Sequence, residues 1–166
     1  MSINISLSHF KKKHKNKKNQ VIFHKANCKN NKIIENIINN FLNKKNSFIF
    51  ESVEKRRIRG RYTIIGADPD KIWEFNKKKI ALIENNKKRM IKGSPYFYLK
   101  KLIQDFNFPL PKNLPPLCSL LVGYFSYDII RYIENVPDKC IDDLKIPDIR
   151  IIRPKTLIIY DNLHKK

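Results

Sequence analysis

Apolar residues along the chain follow two periods. From Asn30 they stand at Ile33, Ile34, Ile37, Ile38, Phe41 and Leu42, the spacing of one helical face, with Asn and Lys filling the other. Because four of these are β-branched, such a helix depends on docking against a sheet rather than on its own propensity. Residues 48–53 and 61–66 suit two strands joined by a charged connection, and residues 67–70, with Pro69, read as a turn. Strands are expected again over 71–75 and 79–84. Asn85-Asn86 tolerates positive φ and makes a tight turn, returning the chain as a strand over 89–92. Ser94-Pro95 marks a helix start, Ser able to accept a bond from an orphan backbone N–H and Pro suited to the first helical position. Tyr96, Leu99, Leu102, Ile103 and Phe106 would be its buried face, and it should end near residues 105–107.

Pro109, Pro111, Pro115 and Pro116 then predict a stiff crossover without regular structure. Residues 117–127 are apolar enough for a strand, in which Gly123 implies a bulge or the close approach of another backbone. A short helix over 128–133 would take Asp128 as its cap, with a loop over 135–143. The last strand, 149–161, holds Pro154, which belongs at an edge or bulge, and Asp161-Asn162 reads as a turn. At the other end, residues 1–20 form a basic arm with too few apolar side chains to bury and are expected to be mobile, while Val21, Ile22 and Phe23 would begin an edge strand. The pattern is that of one α+β domain over 21–166. Its last strand would lack a neighbour, so the chain is expected to be a fragment or to be completed by another chain.

Composition adds little to this frame. With 166 residues and 42% hydrophobic content, including one Trp, seven Tyr and ten Phe, the chain suits a single globular core. No run reaches the ~20 apolar residues of a membrane span, and the basic start lacks a signal-type apolar stretch, so a cytoplasmic protein is expected. The net charge of +20 would suit nucleic acid, an anionic membrane or an acidic protein. Lys, Ile and Asn are abundant together, however, and a drift of composition explains much of that charge. Cys28, Cys118 and Cys140 are widely spaced and form no ligand cluster with the four histidines, so free thiols and no metal site are expected.

The candidate chemistry is sparse. The sequence holds no phosphate-binding Gly-rich loop, no nucleophile elbow and no zinc-protease motif, and acid pairs such as Asp142-Asp143 suit solvated turns. No catalytic residue is expected. The polar residues that stand out are Glu51 and Ser52, inside a predicted strand, with Arg61, Asp128 and Arg131. Glu51 facing solvent and Ser52 bonding a neighbouring carbonyl would account for the first two without a function. The other reading is a binding wall.

Two blocks bear on that choice. FESVEKRRIRGRYTIIGADPD at 50–70 and PPLCSLLVGYFSYDIIRYIENVPD at 115–138 closely resemble, in order and spacing, the amino-terminal part of component I of anthranilate synthase, a chorismate-using enzyme of tryptophan synthesis. A Pro-Asp-x-Arg strand, Pro147 to Arg150, closes the pattern. The resemblance implies part of a four-layer α/β/β/α fold with orthogonally packed antiparallel sheets, incomplete at its carboxy-terminal edge. It also implies part of a feedback pocket for L-tryptophan, with Phe50, Glu51 and Ser52 as the matching residues. Such a pocket needs a few polar groups in an apolar wall, for the ammonium, the carboxylate and the indole. In the family, Mg²⁺ and chorismate bind in the carboxy-terminal domain, which the chain would lack, and a glutamine amidotransferase component supplies ammonia. The missing chorismate-binding domain and that amidotransferase are thus the implied partners. The aminodeoxychorismate synthase component of folate synthesis shares the architecture, and a basic nucleic-acid-binding module is the alternative from another class. At Lys55-Arg56 the family usually has Gly-Gly.

Overall fold

The computed structural model describes residues 3–16, 20–28, 30–51, 60–107, 110–112 and 114–165. Among the described residues three α-helices and six strands follow one another: α1 (Leu7–Lys15), α2 (Asn31–Leu42), β1 (Phe48–Phe50), β2 (Tyr62–Asn76), β3 (Lys79–Glu84), β4 (Lys87–Ile91), α3 (Pro95–Phe106), β5 (Val122–Phe125) and β6 (Ile149–Asp161). The strands form one open sheet in the order β4-β3-β2-β6-β5, with β1 paired to β2. The class is α+β, as the periodicity indicates. The described residues divide into two compact units. One draws on Met1–Ala67, Phe108–Ser119 and Leu157–Lys166, the other on Asp68–Asn107 and Leu120–Thr156.

In the first unit α1 starts at Ser6, whose hydroxyl accepts from the His9 N–H, and none of its side chains is buried. Ahead of it, Asn4 binds the extended backbone of residues 21–23: its Nδ2 donates to the Val21 carbonyl and its Oδ1 accepts from the Phe23 N–H at 2.8 Å. Residues 21–23 therefore form no strand, against expectation, because a side chain takes the backbone groups that a neighbouring strand would need. Asn30 caps α2, its Oδ1 accepting from Lys32 N–H at 3.0 Å. Ile34, Ile37, Ile38 and Phe41 turn inward while Ile33 and Leu42 stay exposed, and the helix packs against β1.

The second unit holds the main apolar core, Trp73, Phe75, Ile80, Leu82, Leu102, Ile149 and Ile151. β3 and β4 pair in the register Glu84↔Lys87 around Asn85-Asn86, both at positive φ, as predicted. The turn between β2 and β3 has no sequence signal: Lys77 and Lys78 both sit at positive φ. The Asp148 carboxylate accepts from the Lys77 N–H at 2.8 Å and from the Tyr132 hydroxyl at 2.7 Å, which holds this uncommon lysine turn. Desolvation, together with that bond to Asp148, pushes the Tyr132 phenol above its ordinary pKa.

Helix α3 begins at Pro95 after Ser94, yet the Ser94 side chain makes no cap bond; its carbonyl accepts from Tyr98 instead. The predicted face of α3 is also rotated. Leu102 is buried and Leu99 and Tyr98 join the core, with Trp73 Nε1 donating to the Tyr98 hydroxyl at 3.1 Å, whereas Tyr96 and Ile103 are exposed. A half-buried tyrosine gains from a partner for its hydroxyl, and the indole N–H supplies one at position 98.

Two other expectations change. Residues 67–70 form no turn, since β2 runs unbroken for 15 residues through Pro69. β1 pairs with residues 64–66 and β3 with residues 71–76, so Pro69 falls between the two ladders, where its missing N–H costs little; Asp68 takes positive φ there. The helix after β5 is a 3-10 helix, Tyr127–Tyr132, in which Asp128 lies in the first turn rather than at the cap. The predicted strand over 117–127 is shorter, Val122–Phe125, after a 3-10 turn at Pro116–Cys118. β6 matches its predicted span, and Pro154 lies past Ile152, the last residue that β5 pairs with, in keeping with an edge-like site.

Candidate functional site

The stretch singled out for binding is a hairpin wall in the first unit. β1 pairs antiparallel with β2 in the register Phe48↔Gly66, Ile49↔Ile65, Phe50↔Ile64. Phe48 and Phe50 lie on one face by strand alternation, their ring centroids 5.1 Å apart. Gly66 lies opposite Phe48, where a Cβ would stand 2.2 Å from the far end of the Phe48 ring and the ring would have to shift. Phe50 and Glu51 are exposed. Ser52, with Val53 and the Lys55-Arg56 departure, lies outside the described residues. Two of the three sequence-predicted site residues are thus seen, adjacent and solvent-facing at the end of β1.

What fixes the other end of this wall was not visible in sequence. Arg61 grips Asp161 with two nitrogens, Nε at 3.1 Å and Nη2 at 2.6 Å from Oδ2, and its carbonyl accepts from the Asn162 N–H at 2.8 Å. Asn162 Nδ2 also donates to Oγ1 of Thr63, a buried hydroxyl, at 3.1 Å. Asp161 Oδ1 closes the turn that was predicted at Asp161-Asn162 by accepting from the Leu163 and His164 N–H groups. The side-chain bond to Arg61, and then the backbone bonds from His164 and Leu163, hold the Asp161 carboxyl below its ordinary pKa against the opposing effect of burial. Only the residue types hinted at this, since the partners are 100 positions apart.

A depressed carboxylate pKa contributes stability that is complete above the unfolded value of about 3.9 and is lost as pH falls through the folded value. Acid unfolding followed by tryptophan fluorescence between pH 5 and 2 should therefore be shallower in Asp161→Asn than in the parent. The variant should also be less stable at pH 7, with a lower urea midpoint, because Arg61 keeps only a neutral partner. An unchanged acid profile would show that the pair contributes nothing.

The second block builds a different device, within the second unit. Arg131 donates from Nε to Asp128 Oδ1 at 3.0 Å and from Nη1 to the carbonyls of Val136 at 3.2 Å and Pro137 at 2.6 Å, and Asp138 lies 3.8 Å from Nη2. The Tyr-Asp-x-x-Arg spacing thus serves to fasten the following loop. Arg153 makes a similar forked pair with Asp70 through Nε at 2.7 Å and Nη2. Among the described residues no group of three or more His, Cys, Asp or Glu side chains could hold a metal ion, and no helix is long and apolar enough to cross a membrane.

An open antiparallel sheet with helices, a hairpin wall and an arginine-fastened loop define an α+β domain. No family model matches the chain. Curated relatives do. The chain is 35% identical over 120 residues to anthranilate synthase component 1 of Acetivibrio thermocellus, which covers 72% of the chain and 24% of that relative. It is 33% identical over 122 residues to anthranilate synthase component 1 of Cereibacter sphaeroides, 70% of the chain and 24% of the relative, and 35% identical over 126 residues to that of Acinetobacter calcoaceticus, 70% and 25%. The chain belongs to the anthranilate synthase component 1 family, as a counterpart of its amino-terminal region. It spans about a quarter of the length of the curated relatives it matches.

Proposed function

We propose that this chain serves tryptophan biosynthesis as the amino-terminal, tryptophan-sensing part of anthranilate synthase component 1, and that it contributes one wall of the L-tryptophan feedback site. The observation that carries the reading is the similarity to three bacterial anthranilate synthase components over some 70% of the chain. Phe50 offers an aromatic face to the indole. Glu51 suits the ammonium, and Ser52 offers a hydroxyl to either charged end of a free amino acid. The wall is one-sided, so the pocket closes only against another part of the enzyme. In that complete enzyme, chorismate and glutamine-derived ammonia yield anthranilate and pyruvate, with the glutamine amidotransferase component as ammonia source. The fold it completes is the four-layer α/β/β/α arrangement. On this reading Mg²⁺ and chorismate belong to the part of the family's polypeptide outside the matched segment.

Thermal unfolding of the chain co-purified with that complementary part tests the reading. L-Tryptophan at a hundredfold excess over its Kd should stabilise the complex by about 2.7 kcal/mol, and D-tryptophan should not. Ser52→Phe should fill the indole space and weaken L-tryptophan tenfold or more while melting normally without ligand. Equal stabilisation by both enantiomers, or an undiminished response in Ser52→Phe, would overturn the assignment.

A further inference from the structure

The first unit carries a helix that its packing does not use. None of the side chains of α1 is buried, yet the helix is held in place. Ser6 caps its start, and Asn4, just ahead of it, donates to the Val21 carbonyl at 3.2 Å and accepts from the Phe23 N–H at 2.8 Å, while its own backbone N–H donates to the Phe23 carbonyl. A helix of nine residues is too short to persist in water on propensity alone, and Lys11 and Lys15, one turn apart, repel each other along it. Asn4 and Ser6 thus hold out a helix that has little to gain from its own fold.

What α1 displays is positive charge without a counterpart. Lys11, Lys12 and Lys15 are exposed and Lys13 is half-buried, and no salt bridge among the described residues engages them. Residues 1–34 hold nine lysines and no Asp or Glu, so all 15 acidic residues of the chain lie beyond them. A drift of composition supplies lysine, but it does not by itself clear one segment of carboxylates. Further along, lysines are offset: Lys71 pairs with Glu84, Lys77 with Asp138 and Lys88 with Glu74. By the helical period Lys11, Lys12 and Lys15 share one side of α1, and Phe10 and His14 stack on another with ring centroids 5.9 Å apart.

We propose that the lysine side of α1 is a seat for the phosphate backbone of a nucleic acid, held without base selectivity. This is a property of the basic arm and stands apart from the tryptophan reading. Ammonium groups one turn apart neutralise neighbouring phosphates and release the counterions condensed on them, and a bound strand also offsets the repulsion between Lys11 and Lys15. Contacts of this kind position a strand but carry no sequence information. An anionic membrane or an acidic protein would want apolar area beside the charge, and of the apolar side chains of α1 only Leu7, 67% exposed, offers it in the open.

Fluorescence anisotropy tests the seat, with a labelled oligouridine and an oligothymidine of the same length titrated with the full chain. Both should bind, and affinity should fall steeply between about 50 and 200 mM salt. Lys11→Gln, Lys12→Gln, Lys13→Gln and Lys15→Gln together should weaken binding by about tenfold or more and make the log–log salt slope shallower by about 3, each phosphate contact on a single strand contributing about 0.7. The same charge removed at exposed positions of the second unit, by Lys87→Gln, Lys100→Gln, Lys101→Gln and Lys155→Gln, should weaken binding by less than about threefold. Glutamine keeps helix propensity, and circular dichroism with the urea midpoint of each variant confirms folding. Amide exchange over residues 7–15 should slow when either oligonucleotide is bound. Equal losses in the two variants would mean attraction by net charge alone and would overturn the seat. So would undiminished binding by the α1 variant, protection away from α1, or binding to phosphatidylglycerol vesicles with none to either oligonucleotide. Binding of only one of the two oligonucleotides would overturn a seat that reads the backbone alone.

Discussion

Gly123→Ala is expected to be the most damaging single-methyl change in the chain, lowering stability by about 3 kcal/mol or more. A Cβ built on Gly123 would lie 1.9 Å from the Arg150 carbonyl oxygen and 2.8 Å from the Ile151 Cα. Those are backbone atoms of β6, so no rotamer change relieves the clash and the β5–β6 ladder itself must part. The pairs at risk are Val122↔Ile152, Gly123↔Ile151, Tyr124↔Arg150 and Phe125↔Ile149. Ile149 and Ile151 belong to the same core as Trp73 and Phe75, and a displaced β6 opens that core. Urea unfolding read through the fluorescence of Trp73, the one tryptophan, measures the loss. By contrast Gly66→Ala meets only the Phe48 ring, which can turn away, and should cost less. Equal stabilities of Gly123→Ala and the parent would refute the close approach.

Gly123 was also legible beforehand, because a glycine inside an otherwise apolar strand has few other uses. The same holds wherever one residue type carries one local meaning. The period of α2, the Asn85-Asn86 turn and the span of β6 all depend on neighbours in sequence, and all appear as expected. What depends on distant partners did not show. Pro69 signals a turn, and only the gap between the β1 and β3 ladders lets β2 pass through it. Tyr96 and Ile103 suit a helical face as well as Tyr98 does, and the indole of Trp73 decides between them. Two adjacent lysines give no sign of a turn at positive φ; Asp148 creates it from 71 residues away.

The candidate site divides in the same way. Glu51 stood out as a polar residue inside a predicted strand and Phe50 through the family resemblance, and both stand exposed where β1 ends. Their ordering partners, Gly66 under Phe48 and the Arg61–Asp161 clasp, are matters of register and chain return that no local pattern encodes. Arg131 stood out as an oddity without a stated role, and the structure makes it a fastener rather than a ligand.

Arg131→Ala should then act on the loop more than on the core. The guanidinium replaces water for two carbonyls, Val136 and Pro137, and neutralises Asp128 with help toward Asp138. Removing it leaves the carbonyls of two exposed residues and one exposed carboxylate to water, so the loss of global stability should be modest. Arg131→Lys should recover only part of that, because an ammonium cannot span Asp128 and both carbonyls with one planar fork. The distribution of the effect distinguishes a fastener from a general stabiliser. Hydrogen exchange at residues 133–146 should quicken in Arg131→Ala under conditions where α3 and β3 keep their protection. Uniform quickening across the second unit would mean that Arg131 supports the whole core rather than fastening one loop.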